Sequence, residues 1–455
     1  MNTNFVDKYF QMEREHNLFS LSDSNGLPIW DIVRFDVYLH YAFATSTNNV
    51  KRSTLIKLTA AFVGFFRIIA SLVHLFFVKR DVLIVEHPRY KKGSYYFDGA
   101  IQDFINAEKK NFVALSSYKA FQKFDHYIEY DLIAIYTKLF SKNNYLSYEI
   151  IESIQSALSS FGLQPISEQD INYLYNSFLA EQKYYYWYLR IKNPKRIIVN
   201  RDSTKKGLIA AAHMLNIPIF ETQHGMFTKN HLVYSYPYDI ELDNDNIIVP
   251  TALFTFDNYW GSDIRVPFKI VPTGNSYFSL DKTIKREIDA NVSRNKILVI
   301  SSKVHAQYLT ELLSVFLKND SKQTEVIFKL HPNEFSIKQY YEQYFAEYPN
   351  VNVVADEAKI SELLIGTKLV VLINSTVFYE SLNYGIPVAV FKRMNYDSYI
   401  SFFNCPSVFP FDSASELMAI TTMTLPSESM SFFKPFDKDA YYYEVKKYSV
   451  SSGVY

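Results

Sequence analysis

The chain has 455 residues, 48% of them apolar and 21% charged, which suits two or three domains with large cores and excludes global disorder. Lysine and arginine number 47, as do aspartate and glutamate, so no whole-chain positive field exists to attract nucleic acid. The single cysteine excludes an intramolecular disulfide, no Cys/His cluster suggests zinc, and a reducing cytoplasm fits this composition best.

The first 80 residues predict helices, one of them suited to a membrane surface. Residues 55–78 are almost entirely apolar, and Arg67, Ser71 and His74 share one helical face by their spacing. A basic pair flanks the segment on each side, but its uncharged stretches are too short for a bilayer span of about 20 residues. The segment predicts a helix in the headgroup layer of an anionic membrane, with a helix packed inside the protein as the alternative.

An alternation of strands and helices begins after residue 80 and predicts a parallel sheet with helices on both faces. Short apolar runs at 82–85, 112–115, 196–199 and 217–220 each end in a polar turn. Open parallel sheets bind ligands outside the carboxyl ends of their strands. The candidates at these ends are Glu86, His87, Arg89, Asp202, Glu221, Gln223 and His224.

A second alternation of the same design follows a break over 229–275, which contains Asn, Asp and Pro clusters. Its predicted strands lie at 297–300, 326–328, 351–354, 369–373 and 386–391. The polar residues after these strands are Ser301, Ser302, Lys303, His331, Asn374, Ser375 and Thr376.

Two of these strand ends are suited to an anion. Ser375 and Thr376 are predicted to open a helix, where unpaired N–H groups, the helix dipole and the hydroxyls attract phosphate. His331 follows a neighbouring strand, where its imidazole can contact the same anion. These residue types also cap turns and helices without any ligand, and the two roles are compatible. The pattern indicates a nucleotide-sugar site.

Taken together, these strings resemble glycosyltransferases of the two-Rossmann (GT-B) type, in particular bacterial capsule and lipopolysaccharide sugar transferases. The resemblance rests on Ile217–Gly225, Val271–Gly274, Lys329–Pro332 and Asn374–Pro387. It implies an α/β fold with two Rossmann-like domains facing across a cleft, preceded by a helical extension. The His-Pro and Ser-Thr strings are similar to those of sialyl- and Kdo transferases, which use CMP-sugars.

The same resemblance implies roles for the second set of strand ends. His331, Ser375 and Thr376 would contact the donor phosphate and nucleotide, and Glu380 matches the acidic residue that many GT-B enzymes place on the donor ribose. Retaining GT-B enzymes often carry a second Glu eight positions earlier, where this chain has Leu372, which disfavours that subgroup. The further donor-site candidates are Ser301, Ser302, Lys303, Pro332, Asn374 and Gly274.

The general base is predicted among the first set of strand ends. His224 is the first candidate, because imidazole titrates near neutral pH and Gly225 lets a ligand approach the backbone closely. Glu221, Asp202 and Glu86 compete for this role. His87, Arg89 and Gln223 are the candidates for binding the acceptor.

The sequence therefore predicts an enzyme that moves a sugar from a nucleotide sugar, with a CMP-sugar favoured, to a glycan or lipid-linked glycan of a capsule or lipopolysaccharide. No acidic DxD string stands in a suitable position, so no metal and no cofactor besides the nucleotide-sugar co-substrate are expected. The expected location is the cytoplasm, with docking on the inner face of the cytoplasmic membrane.

Three alternatives stay open: transfer of glycerol phosphate from CDP-glycerol, epimerisation of a sugar nucleotide at C2, and a non-catalytic assembly subunit. The predicted domains are a helical module with the membrane-facing segment (1–80), an acceptor domain (81–275), a donor domain (276–435) and a helical tail (436–455).

Overall fold

The computed structural model divides the chain into two compact units. The residues it describes are 3–42, 69, 71–87, 90–92, 95–116, 128–130, 132–140, 144–200, 205–228, 231–237, 246–262, 264–290, 295–302, 305–320, 324–393 and 396–449. The N-terminal unit comprises Asn4–Thr255, Gly261–Thr273 and Asp437–Tyr455. The C-terminal unit comprises Phe256–Trp260 and Gly274–Phe436, together with Met1–Thr3.

The elements of the N-terminal unit are short strands and longer helices. The strands are β1 (Val82–Val85), β2 (Tyr90–Lys92), β3 (Tyr95–Phe97), β4 (Phe112–Ser116), β5 (Ile128–Tyr130), β6 (Arg196–Asn200), β7 (Ile219–Thr222), β8 (Ala252–Thr255) and β9 (Lys269–Pro272). The helices are α1 (Thr3–Glu15), α2 (Ile29–Ala42), α3 (Gln102–Glu108), α4 (Ile133–Phe140), α5 (Tyr148–Ser160), α6 (Glu168–Lys192) and α7 (Lys206–Met214).

The C-terminal unit repeats this design. Its strands are β10 (Lys296–Ile300), β11 (Glu325–Lys329), β12 (Val351–Val354), β13 (Thr367–Leu372), β14 (Val388–Phe391) and β15 (Val408–Phe411). Its helices are α8 (Lys282–Ala290), α9 (Ala306–Asn319), α10 (Lys338–Tyr344), α11 (Ile360–Leu363), α12 (Val377–Asn383) and α13 (Ala414–Thr422). The last helix of the chain, α14 (Lys438–Ser449), belongs to the N-terminal unit. Short 3-10 helices lie at Leu18–Ser20, Leu232–Tyr234, Asn258–Gly261, Pro332–Ile337 and Tyr396–Phe402.

Each unit is built on an open parallel sheet. The order in the N-terminal unit is β5-β4-β1-β6-β7-β8-β9, with every described pairing parallel. The order in the C-terminal unit is β12-β11-β10-β13-β14-β15, again parallel throughout. In the chain order of its strands this second sheet reads 3-2-1-4-5-6, the order of doubly wound Rossmann sheets. The predicted fold class, with two Rossmann-like sheets and an N-terminal helical extension, is confirmed.

The central strands form because their apolar runs are buried on both faces. All four residues of β1 are buried, as are all five of β4 and the last four of β10. Continuous Val, Ile and Leu runs are typical of parallel strands covered by helices on both sides. These strands could therefore be predicted from the sequence.

The region 229–275, which the sequence predicted as a break between the sheets, supplies two strands, β8 and β9. Both are only four residues long, and β9 lies at the sheet edge, where only Val271 of its residues is buried. β8 is fully buried, so it carries the same apolar signal as β1 and the prediction missed it among the Asn, Asp and Pro clusters, whereas β9 has a single buried residue. The first sheet is consequently wider than predicted.

The N-terminal helices pack against the first sheet, and their buried polar groups are paired. The Arg34 guanidinium of α2 forms a salt bridge with Glu13 of α1 (2.5 Å) and donates to the Leu232 and Ser235 carbonyls. Lys206 pairs with Asp31 (2.8 Å). The first helices are thereby part of the same core as the sheet.

The last helix also packs on the N-terminal unit. The Tyr441 hydroxyl donates to the Glu108 carboxylate, which also pairs with Arg196 (2.6 Å). Lys269 and Glu444 form a second ion pair (2.6 Å). The chain thus returns to the first sheet after completing the second.

The predicted membrane-facing segment lies mostly outside the described residues, which include only 69 and 71–77 of its helix. In this part the polar side of the helix faces inward: Ser71 is buried and His74 is partly buried. The apolar side faces outward, since Phe76 is 59% and Phe77 82% exposed. In the part of the chain that the structure describes, no helix is both long and apolar enough to cross a membrane.

Candidate functional site

In the C-terminal unit, the carboxyl edge of the sheet carries most of the predicted donor residues. The strand order reverses between β10 and β13, which are hydrogen-bonded neighbours. Doubly wound sheets bind ligands at such a switch point, because the segments that follow the two strands leave in opposite directions and open a crevice. Ser301 and Ser302 follow β10, and Asn374, Ser375 and Thr376 follow β13. The structure therefore brings these two groups of residues to the same edge.

A tyrosine from a distant segment holds the turn after β13. The Ser375 N–H donates to the Tyr399 hydroxyl oxygen (2.8 Å), and that hydroxyl donates to the Ser375 carbonyl (2.7 Å). The Ser375 hydroxyl accepts from the Val377 N–H (3.2 Å), whereas the Thr376 side chain makes no capping bond. Asn374, Ser375 and Thr376 remain partly exposed. Tyr399 thus fixes the backbone of the turn while its polar side chains stay at the surface.

The helix after this turn is shorter than the anion-binding hypothesis assumed. Helix α12 has seven residues, and so short a helix has few aligned peptide dipoles to act on an anion at its N-terminus. Anion binding at this turn would have to come from side chains and from the neighbouring strand ends.

A histidine that the sequence reasoning did not assign to the site lies at the same edge. His305 is buried at the N-cap of α9, a helix of 14 residues. Its backbone N–H donates to the Ser302 carbonyl (2.7 Å). Burial lowers the pKa of His305 to about 4, so its ring is neutral at physiological pH. Its position directly after β10 was the signal that could have identified it.

The turn after β11 is organised around a buried carboxylate. Glu334 accepts from the Ser301 hydroxyl (3.1 Å), the Tyr341 hydroxyl (2.6 Å) and the backbone N–H of His331 (3.2 Å). Ser301 therefore stabilises this turn from the neighbouring strand, a structural role that the donor-site prediction did not include. Pro332 occupies the first position of the 3-10 helix, where a missing N–H costs nothing.

The imidazole of His331 caps this turn and is exposed. Its Nδ1 accepts from the Asn333 N–H (3.1 Å), so the neutral ring carries its proton on Nε2. The capping role and a ligand contact through Nε2–H are compatible, because the two nitrogens point to different sides of the ring. The predicted phosphate contact of His331 stays a prediction.

Glu380 of α12 has an unusual electrostatic environment. Burial raises the pKa of Glu380 to about 7 although part of the side chain is accessible. Among the described residues none donates a hydrogen bond to its carboxylate. Burial raises the pKa of Tyr277 to about 12, and the nearby Glu380 carboxyl group adds to this increase. A carboxyl without a protein donor is suited to accept hydrogen bonds from ligand hydroxyls.

Gly274, a predicted contact of the donor, packs closely against the backbone of Lys434 and Pro435. It has a φ of +76°, and a Cβ at this position would lie 2.2 Å from the Pro435 carbonyl oxygen. The next residue, Asn275, donates its N–H to the Lys434 carbonyl (2.9 Å). The glycine is therefore required by backbone packing within the C-terminal unit.

In the N-terminal unit the strand order reverses between β1 and β6, and Glu86 and His87 follow β1. The carboxylate of Asp98 accepts from the His87 N–H (2.9 Å), the Asn200 amide (2.7 Å) and the Ala100 N–H (3.0 Å). Burial, and then the nearby Asp98, raise the pKa of Glu86 to about 7. The sequence reasoning missed Asp98, although the Asp-Gly turn signal at 98–99 was available.

The other candidate base residues lie after β7 or at its end. Glu221 is fully buried and accepts from the Tyr234 hydroxyl. The Gln223 amide donates to the Gly225 carbonyl (2.9 Å), so this predicted acceptor contact closes a local turn. The His224 ring packs edge-on against Phe227, with centroids 5.4 Å apart. The remaining predicted residues, Arg89, Asp202 and Lys303, lie outside the described residues.

Among the described residues, no group of three or more His, Cys, Asp or Glu side chains is placed to hold a metal ion. The prediction that no metal and no cofactor take part has not been tested.

Comparisons with known proteins add one local match. Residues 295–399 match the family model described as "Capsule polysaccharide biosynthesis protein". The match begins one residue before β10 and ends at Tyr399, so it includes β10 to β14 and the tyrosine that holds the Ser375 turn. The chain is similar to this family over that stretch, which is less than half of its length. No curated protein shows significant sequence similarity to the chain.

Solved structures with a similar fold share little sequence. MurG from Acinetobacter baumannii is 10% identical, with 81% of this chain and 99% of that chain covered and a TM-score of 0.48. UDP-GlcNAc 2-epimerase from Methanocaldococcus jannaschii, in complex with UDP-GlcNAc and UDP, is 11% identical, with coverages of 81% and 99% and a TM-score of 0.47. The UDP-GlcNAc 2-epimerase from Neisseria meningitidis bound to UDP-GlcNAc is 13% identical, with coverages of 80% and 98% and a TM-score of 0.44.

Proposed function

We propose that this protein is a glycosyltransferase of capsule or lipopolysaccharide synthesis, which moves a sugar from a nucleotide-sugar donor to a glycan or lipid-linked glycan. The observation that carries the proposal is that the family match and the candidate donor residues fall in the same part of the chain. The stretch similar to capsule biosynthesis proteins is the part of the doubly wound sheet whose carboxyl edge carries His331, Ser375 and Glu380. A CMP-sugar is the favoured donor, on the likeness of the His-Pro and Ser-Thr strings to those of CMP-sugar transferases.

In this proposal the C-terminal unit binds the donor. The His331 Nε2–H and the hydroxyls of Ser375 and Thr376 donate to the donor phosphate, and Glu380 accepts from the ribose hydroxyls. Hydrogen bonds to phosphate oxygens that gain charge as the bond breaks stabilise the transition state more than the ground state. Lys303 is proposed as a further cation near the phosphate. No cofactor and no metal ion are part of the proposal.

The transfer step is a substitution at the anomeric carbon. The acceptor oxygen forms a bond to this carbon, and the bond from the carbon to the donor phosphate oxygen breaks. The nucleotide leaves with the electron pair, and the acceptor proton passes to a base. General-base catalysis of this kind typically contributes 10²–10⁴-fold to the rate.

A substitution of His331 tests the donor site. His331→Asn removes the Nε2–H but keeps a side-chain acceptor for the Asn333 N–H, and asparagine is a favoured N-cap residue. We expect the melting temperature of the unliganded protein to stay the same, while the increase caused by the nucleotide falls in line with roughly 10-fold or greater loss of affinity. Thermal-shift measurements with CMP, UDP, GDP and CDP would identify the base and compare the variants.

The exposed His40 offers a matched control, because His40→Ala removes an imidazole from the N-terminal unit. An unchanged nucleotide response in His331→Asn would contradict the donor assignment. Product analysis separates the alternatives: glycerol phosphate transfer from CDP-glycerol, an epimerised sugar nucleotide, or nucleotide binding without any transfer would each replace the proposed activity.

We also infer that the protein docks on the inner face of the cytoplasmic membrane through an amphipathic surface of the N-terminal unit. Its apolar part is the outward face of the helical residues 69 and 71–77, formed by Ile69, Leu72, Val73, Phe76 and Phe77. The spacing i, i+3, i+4, i+7 and i+8 places these side chains on one stripe. A soluble helix normally turns such a stripe inward.

A basic cluster lies beside this stripe. The Arg80 guanidinium donates to the Lys110 carbonyl (3.1 Å), and Lys195 pairs with Asp81 (3.1 Å). With Lys79 and Lys109, this brings five exposed basic residues from three segments to the amino ends of β1, β4 and β6. Anionic headgroups attract such a cluster by about 1 kcal/mol per basic residue.

Vesicle flotation tests the docking surface. The double change Phe76→Ser and Phe77→Ser should lower binding of full-length protein to phosphatidylglycerol vesicles at least 10-fold, since each buried phenylalanine contributes about 1.5–3 kcal/mol. Lys109→Glu with Lys110→Glu should have a similar effect that high salt mimics. The matched control is Tyr145→Ser with Tyr148→Ser, which removes two aromatic residues that are equally exposed elsewhere on the N-terminal unit. Equal flotation of all variants, or of the wild type with uncharged vesicles, would rule the surface out.

A further inference from the structure

The carboxyl edge of the first sheet contains a row of polar side chains that the donor site does not use. Val85 of β1 is in register with Leu115 of β4 and Val199 of β6, so the next residue, Glu86, stands level with Ser116 and Asn200. Asn200 is in register with Thr222 of β7. Residues in register on parallel strands project to the same face of the sheet. The row therefore runs Ser116, Glu86, Asn200, Thr222 across four adjacent strands at the switch point.

Two members of this row have polar atoms that the described residues leave unsatisfied. The Asn200 Oδ1 and the Thr222 Oγ1 are buried and have no hydrogen-bond partner among the described residues, whereas the Ser116 hydroxyl hydrogen-bonds to Glu86. All three side chains are at least 97% buried. Buried polar atoms without partners are rare and costly, and two in register on the adjacent strands β6 and β7 indicate a place for polar groups from outside the chain.

The charge around the row specifies what those groups are. Asp98 holds the Asn200 amide with one oxygen and the Ala100 N–H with the other, and its carboxylate lies near Glu86. In the described part of this edge, Asp98 is the charged group facing Glu86, and the Ser116 hydroxyl hydrogen-bonds to the Glu86 carboxyl group. Two carboxyl groups repel phosphate or carboxylate ligands. Hydroxyl groups, which both donate and accept, match the row's hydroxyl and amide oxygens.

We propose that this row binds the hydroxyl groups of the acceptor sugar and that Glu86 is the base that takes the proton of the attacking hydroxyl. The proposal rests on the proposed glycosyl transfer and deepens it. The acceptor O–H bond breaks as its oxygen bonds to the anomeric carbon, and the proton moves to a Glu86 carboxylate oxygen. The nucleotide leaves with the electron pair of the broken bond, and Glu86 later releases the proton to water.

Asp98 is a positioning residue in this arrangement. It fixes the backbone of His87, directly after Glu86, and the amide of Asn200 beside it. The negative charge of Asp98 and the burial of Glu86 together bring the pKa of Glu86 to about 7. A base with a pKa near the working pH is ionised often enough to accept a proton and basic enough to hold it.

Glu221, the other described carboxyl group among the candidate bases, is less suited to the role. Glu221 precedes Thr222 by one residue, so its side chain projects to the opposite face of the sheet from the row. There it is fully buried and accepts from the Tyr234 hydroxyl.

The raised pKa has a consequence for stability that gives a second readout. The folded protein keeps the Glu86 proton up to about pH 7, whereas an unfolded chain loses it near pH 4.5. Between these values the folded state binds more protons, so its stability falls as the pH rises. Glutamine resembles the protonated carboxyl and does not titrate, so Glu86→Gln removes this loss.

The test uses full-length protein, CMP-, UDP- and GDP-sugars as donors and p-nitrophenyl glycosides as acceptors. We expect Glu86→Gln to lower the transfer rate 10²–10⁴-fold while the nucleotide still raises the melting temperature as in the wild type. At pH 8 the variant should melt about 2–4 °C or more above the wild type, with the difference disappearing near pH 5. Asn200→Ala with Thr222→Val should raise the acceptor KM at least 10-fold and change kcat little.

Each result has a definite meaning. In the wild type, kcat/KM should fall as the pH drops below about 7, and Asp98→Asn should move this limb to lower pH, since it removes a charge that raises the Glu86 pKa. Wild-type transfer with an equally active Glu86→Gln overturns the inference and leaves the proposed function standing, as does loss of activity in Glu221→Gln alone. Absence of transfer by the wild type with every donor overturns both.

Discussion

Arg34→Ala is expected to lower the free energy of unfolding by about 3–5 kcal/mol, because it leaves the buried Glu13 carboxylate without its partner. The guanidinium Nε and Nη2 donate to the two Glu13 oxygens (2.5 and 3.0 Å). Glu13 is fully buried and has one further donor, the Trp30 indole (2.9 Å). A single neutral hydrogen bond cannot replace the lost charge pair in such a surrounding.

The same guanidinium also holds a turn near the candidate site. It donates to the Leu232 and Ser235 carbonyls and stacks 4.7 Å from the centroid of Tyr236. The 3-10 helix between these carbonyls contains Tyr234, which donates to Glu221. Loss of Arg34 therefore removes contacts on α1, α2 and the 232–235 turn together.

Urea unfolding of the wild type, Arg34→Ala, and the double variant Glu13→Met with Arg34→Met measures the effect. Replacing both members of a buried ion pair by apolar residues avoids an unpaired charge, so the double variant should be more stable than Arg34→Ala. A loss below about 1 kcal/mol for Arg34→Ala, or a double variant less stable than the single one, would show that the pair is not buried as described.

Gly274→Ala is expected to cost about 3–5 kcal/mol, the sum of a left-handed backbone and a collision with backbone atoms. The new Cβ would lie 2.2 Å from the Pro435 carbonyl oxygen and 2.7 Å from that of Lys434. Neither atom can move as a side chain does. The Asn275 N–H donates to the Lys434 carbonyl, so relief of the collision also strains this bond.

Two other glycines separate the contributions. Gly385 has a φ of +75°, but the tightest contact of its Cβ would be the Ser429 hydroxyl at 3.0 Å, which can rotate away, and the Ser427 hydroxyl would lie at an ordinary 3.4 Å. Gly385→Ala should therefore lower the free energy of unfolding by about 1–2 kcal/mol, the cost of the left-handed backbone conformation alone. Gly225 has open space around the Cβ position, so Gly225→Ala should be nearly neutral. Equal melting temperatures of the Gly274 and Gly385 variants would contradict the packing argument.

The strands with continuous apolar runs were predictable because a parallel sheet buries both faces of its central strands. Val82–Val85 and Ile297–Ile300 carry this signal within four residues, and the polar residues after them mark the carboxyl edge. The choice of Glu86, His331 and Ser375 as candidates followed from the same local reading. The edge strand Lys269–Pro272 lacked the signal because only one of its four residues is buried.

The partners of the candidate residues were not predictable, because they come from distant segments. Tyr399 lies 24 residues from the Ser375 turn that it holds, and Glu334 lies 33 residues from Ser301. Asp98 meets Asn200 across 102 residues. No local pattern links such pairs, so His305 and Asp98 were missed. For the same reason Gly274, which backbone packing requires, was predicted to contact the donor.

By itself the sequence determined the two alternations of buried strands and helices, and with them which polar residues follow a strand, since both are properties of short contiguous stretches. Only the tertiary structure decided the strand order, the register, and therefore which side chains share a face. Glu86, Asn200 and Thr222 stand in one row while Glu221 projects away, because pairing between strands far apart in the chain sets the level of each residue and a shift of one residue reverses its direction.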